Sequence, residues 1–151
     1  MTTIDKDLII SDLQAKDSFD AIEQLGKKML EKGFVKSSYV KAVTDREKEY
    51  PTGLPTVSVK VAIPHTDTTH VNQSAIGVGI LKDPVEFMMM GGSGERVPAE
   101  IIFLLAIEDQ KLQLETLKKL MNLFQNDDLL KEIKAEKETG KLAKRLNEMI
   151  N

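Results

Sequence analysis

Cysteine is absent from this chain, and histidine occurs only twice. Without cysteine the chain can form no disulfide framework, no thiolate metal site and no cysteine nucleophile. The longest apolar run, Ile101 to Ile107, is far too short to span a bilayer, so we expect no direct membrane insertion. A net charge of −3 provides no field that would favour nucleic acid. Since the N-terminus also lacks the basic and apolar regions of a signal peptide, we expect a cytoplasmic protein.

The 151 residues suffice for one domain with a substantial core, and no repeat or linker divides them. We therefore expect a single domain over residues 1–151. Asp17 or Ser18 is a candidate cap for the first predicted helix, Gly33 a left-handed stop, and Ser37 a cap for the second. Apolar spacing predicts a strand at 4–10, helices at 18–32 and 37–48, strands at 57–63, 75–81 and 84–88, a strand at 99–107, and three helices after residue 110.

The strand at 99–107 is apolar at nearly every position, which is typical of a central strand covered by helices on both faces. Helices come first, strands follow, and helices return at the end. This order predicts an α/β fold, a three-layer α/β/α sandwich with a mixed central sheet.

Both histidines lie in the stretch "KVAIPHTDTTHV", residues 60–71. His65 follows a predicted strand and Pro64, and loops at strand ends often carry reactive groups. One alternative is a histidine that only hydrogen-bonds its own loop. Another is a zinc site, for which Asp67 and Asp83 might add oxygens, but two imidazoles are few for a usual ligand set. A serine hydrolase would need a G-x-S-x-G elbow, which is missing.

A neutral histidine is abundant near pH 7, and its free ring nitrogen can attack an electrophilic phosphorus without prior activation. A site of this kind needs a cation for the phosphate oxygens. Arg46 is a candidate, because the guanidinium fork matches phosphate geometry. The alternative for Arg46 is an exposed helix residue that pairs with Asp45 or Glu49.

Three stretches of the sequence resemble the enzyme IIA (EIIA) component of the phosphoenolpyruvate-dependent sugar phosphotransferase system, in the fructose–mannitol superfamily. "DREKEYPTGL" resembles the family's Arg-Glu segment with its later Thr-Gly pair, and "VAIPH" resembles the signature that ends in the phosphorylated histidine. "IIFLLAI" followed by "KLQLETLKKLMNLF" resembles the next strand and helix. The resemblance covers nearly the whole chain.

Within the superfamily, "EYPTG" and "AIPHTDTTH" most resemble the galactitol-type branch, which has a second histidine shortly after the active one. Mannitol- and fructose-type members instead place an auxiliary histidine near the start of the helix after the long strand. The corresponding segment here, "EDQKLQLE", has no histidine. His70 is therefore the one imidazole available to assist His65.

The resemblance implies a mechanism and a set of partners. His65 would accept a phosphoryl group from the phosphocarrier HPr and donate it to a cysteine of the EIIB component, which works with the membrane component EIIC. Arg46 would hold phosphate oxygens, Thr52 and Thr66 would add hydrogen bonds, and no metal or other cofactor would be needed. The sugar remains open, with galactitol or another polyol as the expectation.

Two other functions remain open from the sequence. Relatives in the family serve as phosphorylation-dependent regulatory modules that control other proteins, and the histidine chemistry would be the same. A plain α/β interaction domain without phosphoryl transfer would require the "VAIPH" context to be a coincidence.

Overall fold

A five-stranded mixed sheet forms the middle of the protein, in a computed structural model that describes residues 2–151. The strands are β1 (Ile9–Leu13), β2 (Gly53–Leu54), β3 (Val61–Ala62), β4 (Ala75–Met88) and β5 (Arg96–Ala106). The helices are α1 (Ser18–Glu31), α2 (Tyr39–Glu49), α3 (Gln110–Leu123), α4 (Asp127–Ala135) and α5 (Thr139–Ile150), with short 3-10 turns at Lys6–Leu8 and Thr68–His70. No helix among residues 2–151 is long and apolar enough to cross a membrane.

The strands lie in the order β1-β4-β5-β3-β2. β4 and β5 pair antiparallel at the centre, β1 runs parallel to β4, and β3 runs parallel to β5. β2 completes the sheet with an antiparallel pair to β3. The mixed sheet predicted from the sequence is confirmed.

Helices cover the sheet on both faces, because the apolar residues of β5 alternate between two separate cores. Phe103 packs with residues of α3, α4 and α5, and its ring lies 5.1 Å from that of Phe124. Leu104 belongs to the opposite core, with α1 and α2. The predicted three-layer sandwich follows from this alternation.

The first helix agrees with its prediction from the sequence, and the second differs at its start. The Asp17 carboxylate caps α1 by accepting the Asp20 N–H at 2.8 Å, and Gly33 has the left-handed φ of 82° that stops the helix. α2 begins later than predicted, at Tyr39. Its cap position is Ser38 rather than Ser37, and the Ser38 hydroxyl pairs with His70 instead of a helix N–H.

Two predicted strands differ from the observed ones. The strand predicted at 4–10 begins only at Ile9, because Asp5 accepts the Asp7 N–H and folds residues 6–8 into a 3-10 turn. Of the strand predicted at 57–63, only Val61–Ala62 pairs with β5. Val57 is 79% exposed, and the backbone and hydroxyl of Ser58 are held by Asp127 at the start of α4.

The strands predicted at 75–81 and 84–88 are a single strand, β4. Its pairing with β5 shifts register between Ile80 and Val85, where Pro84 cannot donate a ladder hydrogen bond. The bulge lets one strand continue past a proline. The long β4–β5 pair then gives a rigid support for the short β3 and the loop that follows it.

Candidate active site

His65 lies where the chain leaves β3. The backbone continues the sheet pairing for two more residues, since the Leu105 N–H donates to the Pro64 carbonyl at 3.1 Å and the Ile63 N–H donates to the Thr52 carbonyl at 3.3 Å. His65 is 8% exposed, so only a small part of its side chain meets solvent. The sheet therefore fixes the backbone on which the imidazole stands.

One hydrogen bond determines the tautomer of the His65 ring. Nδ1 lies 2.8 Å from the carbonyl oxygen of Ile63. A carbonyl can only accept, so Nδ1 must carry the proton, and the lone pair of the neutral ring is on Nε2. Nε2 is therefore the nitrogen with a nucleophilic lone pair.

A cleft of about 350 Å³ brings Arg46 and His65 together. None of the ion pairs among residues 2–151 uses Arg46, and Asp45 pairs instead with Lys41 at 2.7 Å. The guanidinium lies 5.1 Å from the centre of the Tyr50 ring, and its Nε is buried without a hydrogen-bond partner among the described residues. The cleft is lined by Arg46, His65, Thr66, Asp67, Thr68, Gln110, Gln113, Leu114 and Leu117.

The N-terminal half of α3 forms one wall of the cleft. Gln113 donates from Nε2 to the Thr66 carbonyl at 3.3 Å and so ties the loop after His65 to the helix. The first turn of a helix carries partial positive charge, which favours an anion nearby. Leu114 is 55% exposed on the same wall and gives the cleft an apolar edge.

Thr52 is buried next to Glu47, outside the set of described residues that line the cleft. Its N–H and its hydroxyl both donate to the Glu47 carboxylate, each at 2.8 Å. Glu47 is 6% exposed, and burial raises its pKa to about 7 although the bonds from Thr52 oppose that change. Both donors of Thr52 are thus engaged within the protein, and its contact with phosphate remains a prediction.

His70 ends the short 3-10 turn that follows the His65 loop. Its Nδ1 lies 2.7 Å from the Ser38 hydroxyl at the start of α2, and its Nε2 lies 3.9 Å from the Asp67 carboxylate. His70 is not among the described residues that line the cleft. The structure therefore joins His65 with Arg46 and Thr66, and it places His70 against α2.

Within residues 2–151, no three His, Asp or Glu side chains come close enough together to hold a metal ion. Asp67, considered as a zinc ligand, instead accepts hydrogen bonds from the Thr69 N–H and hydroxyl. These bonds lower the pKa of the Asp67 carboxyl. The carboxylate holds the shape of the turn at the mouth of the cleft.

A family model and several known proteins are similar to this chain. The family model described as phosphoenolpyruvate-dependent sugar phosphotransferase system, EIIA 2, matches residues 2–149. The chain belongs to this family. The sequence is also 29% identical over 114 residues to the galactitol-specific EIIA component of the phosphotransferase system of Escherichia coli K12, which covers 76% of this chain and 75% of that protein.

Two further proteins share this fold or sequence. The chain is 29% identical over 131 residues to the transcriptional regulator ManR of Bacillus subtilis, covering 85% of this chain but 19% of ManR. The mannitol enzyme IIA of E. coli, solved in complex with phosphorylated enzyme IIB, superposes with a TM-score of 0.72 at 20% identity, over 96% of this chain and 99% of that one. Its likeness shows the fold.

The electrostatics of this EIIA chain keep His65 neutral. Burial is the main cause that lowers the pKa of the imidazole, and the positive charge of Arg46 lowers it further. The bond from Nδ1 to Ile63 acts in the opposite direction. A neutral ring near pH 7 keeps the lone pair on Nε2.

We expect His65 to titrate below the ordinary histidine value of about 6.5. The proton leaves the ring at lower pH than in a free imidazole, so the nucleophilic form persists as the pH falls to the lowered pKa. NMR of the ring C–H signals against pH measures this directly. In Arg46→Ala the inflection should move upward, and an inflection at or above 6.5 in the unmodified protein would contradict the expectation.

Glu47, which lies within "DREKEYPTGL", is a buried residue next to the site for which the sequence predicted no separate role. The spacing of Glu47 on α2 indicates that its side chain is buried. Tyr39, Val43 and Glu47 follow one another at four-residue intervals, and all three are buried. An acidic residue on the apolar face of a short helix indicates a specific buried partner.

Proposed function

We propose that this chain is the cytoplasmic phosphoryl carrier of a phosphotransferase system for a sugar or polyol of the galactitol type. It accepts a phosphoryl group from phosphorylated HPr on Nε2 of His65 and passes it to the cysteine of a cognate EIIB component, which serves a membrane EIIC component. The observation that carries the proposal is the fixed tautomer of a buried His65 in the same cleft as Arg46. The galactitol-specific relative supports the substrate class.

In the first step, Nε2 attacks the phosphorus in line, a new N–P bond forms on His65, and the bond to the HPr histidine breaks with its electron pair returning to that ring. During this step the proton stays on Nδ1, where it is hydrogen-bonded to the Ile63 carbonyl. Phosphoryl transfer depends mainly on positioning and on charge stabilisation. Arg46 would supply the charge, and the loop at Thr66 would supply hydrogen bonds.

In the second step, the thiolate of the EIIB cysteine attacks the same phosphorus, and the Nε2–P bond breaks. The lone pair returns to Nε2 and restores the original tautomer. Neither step needs a metal or another cofactor, since histidine and thiolate are themselves the nucleophiles. The mannitol enzyme IIA, which has this fold, is known in complex with phosphorylated enzyme IIB, and this supports EIIB as a partner here.

The test is a single-turnover assay with purified partners. HPr phosphorylated with radiolabelled phosphate is mixed first with this protein and then with the cognate EIIB, and the label is followed on each chain. We expect the label to appear on His65 and then on the EIIB cysteine. Absence of label on this chain, with HPr competent toward another EIIA, would refute the proposal.

A regulatory function is the second candidate, favoured by the similarity to part of ManR. In that case His65 would still be phosphorylated, but the phosphoryl state would control another protein. Failure of the labelled protein to pass its label to any EIIB encoded nearby would favour regulation. Adjacent EIIB and EIIC genes together with rapid transfer would favour transport.

We expect His70→Ala to keep the rate of phosphoryl acceptance within about threefold of the unmodified protein. The His70 ring bonds to Ser38 and lies outside the group of described residues that line the cleft. Rapid mixing with phosphorylated HPr, followed by quenching, measures the rate. Ser38→Ala provides a matched control, because it removes the same hydrogen bond by deleting the hydroxyl partner of His70. A tenfold or larger loss confined to His70→Ala would make His70 an assistant of His65.

A further inference from the structure

We propose that Glu47 is a positioning residue for phosphoryl transfer, and that it sets the orientation of His65 through Thr52 and Ile63. The inference rests on the proposed function for its kinetic consequences. Its structural part concerns the His65 ring alone and can be tested separately.

A continuous series of hydrogen bonds links Glu47 to His65. The Glu47 carboxylate accepts the N–H and the hydroxyl of Thr52, each at 2.8 Å. The Thr52 carbonyl accepts the Ile63 N–H at 3.3 Å, and the Ile63 carbonyl lies 2.8 Å from Nδ1 of His65. Each link sets the position of the backbone group that makes the next one.

The backbone that makes these hydrogen bonds is tightly packed at β2. Thr52 is followed by Gly53, the first residue of β2, and a Cβ at Gly53 would lie 2.7 Å from the Met88 carbonyl oxygen. β2 therefore packs tightly against the end of β4, while Glu47 holds its other side to α2. Loss of the Glu47 carboxylate removes the two hydrogen bonds that hold Thr52 to α2, and the Thr52 carbonyl is the acceptor for the Ile63 N–H.

Arg46 and Glu47 are neighbours in the last part of α2. Arg46 lines the cleft with His65. Glu47 is on the buried side of the helix, where it accepts two hydrogen bonds from Thr52 just before β2. One turn of helix thus fixes the cation and the nucleophile relative to each other. Small displacements between reacting groups reduce rates strongly, which gives this link a catalytic consequence.

Burial of the Glu47 carboxylate does not favour the stability of the fold. Glu47 is 6% exposed, and no ion pair among residues 2–151 uses its carboxylate. A buried carboxylate outside any ion pair contributes little to stability in comparison with an apolar side chain of similar volume. A positioning role explains why the chain places an acid there.

The test compares Glu47→Ala, Glu47→Gln and the exposed control Glu49→Ala, which changes an acid on the same helix. Nitrogen NMR of labelled histidine reports the tautomer of the His65 ring, and single-turnover mixing with phosphorylated HPr reports the rate. For Glu47→Ala we expect a larger share of the Nε2–H tautomer and a rate reduced by about tenfold to a hundredfold. Glu47→Gln keeps an oxygen for the Thr52 N–H and should recover most of both, and Glu49→Ala should change neither.

Thr52→Val provides a second variant if Glu47→Ala does not fold. It keeps the backbone N–H bond to Glu47 and loses the hydroxyl bond, so we expect a smaller change in the same direction, with Thr52→Ser close to the unmodified protein. An unchanged tautomer in every folded variant would overturn the positioning role. An altered tautomer in a protein that never accepts phosphate would instead overturn the proposed function and leave the structural link standing.

Discussion

His65→Ala is expected to abolish phosphoryl acceptance from HPr, with a loss of at least about a thousandfold, because the substitution removes the nucleophile itself. His70, the other imidazole in the sequence, bonds to Ser38 and cannot replace it from outside the cleft. Transfer of label from phosphorylated HPr, followed by separation of the two proteins, measures the loss.

The fold should survive this substitution. His65 contributes one hydrogen bond, from Nδ1 to Ile63, and the net value of such a bond is about 1 kcal/mol. Thermal unfolding followed by circular dichroism checks this expectation, and His70→Ala serves as the matched histidine control. A folded His65→Ala protein that still became labelled would show that another residue carries the phosphoryl group.

Arg46→Ala is expected to slow phosphoryl acceptance by about a hundredfold while the fold remains intact. The guanidinium supplies the positive charge beside His65, and it has no ion-pair partner within residues 2–151 whose loss would destabilise the protein. Arg46→Lys keeps the charge but loses the planar fork, so we expect an intermediate rate. Single-turnover rates at saturating HPr separate this effect from weaker docking.

Lys48→Ala is the matched control for Arg46, since it removes a cation from the same helix outside the cleft. It should change the rate only through the long-range field, which salt would screen. If Arg46→Ala transferred phosphate at the normal rate but unfolded far more easily, Arg46 would be a structural residue. Equal losses in Arg46→Ala and Lys48→Ala would assign the effect to general electrostatic attraction of HPr.

The positions of His65 and Arg46 in the fold could be predicted from the sequence because they depend on local rules. A β-branched strand followed by Pro64 predicts a fixed exit from the sheet, and it correctly placed His65 just beyond β3. The sequence also predicted that Arg46 lies on a helix, but it did not predict which groups Arg46 contacts. The choice between a cleft residue and a surface ion pair depended on Lys41, which pairs with Asp45 in the structure.

Other features depend on contacts between distant segments. The alternation of valines at 57–63 satisfied the pattern of a strand, but Asp127 holds Ser58 from 69 residues away and keeps Val57 outside the sheet. The tautomer of His65 depends on the position of the Ile63 carbonyl, which in turn depends on Thr52. No local pattern specifies that position, so the tautomer of His65 could not be predicted from the sequence.

The nitrogen that carries the phosphoryl group is expected to be Nε2 of His65. After single-turnover phosphorylation by HPr, phosphorus–nitrogen NMR of the protein with labelled histidine identifies both the residue and the ring nitrogen. We expect one phosphohistidine, at Nε2 of His65, with the Nδ1 proton still hydrogen-bonded to Ile63. A phosphoryl group on Nδ1 of His65, or on His70, would contradict it.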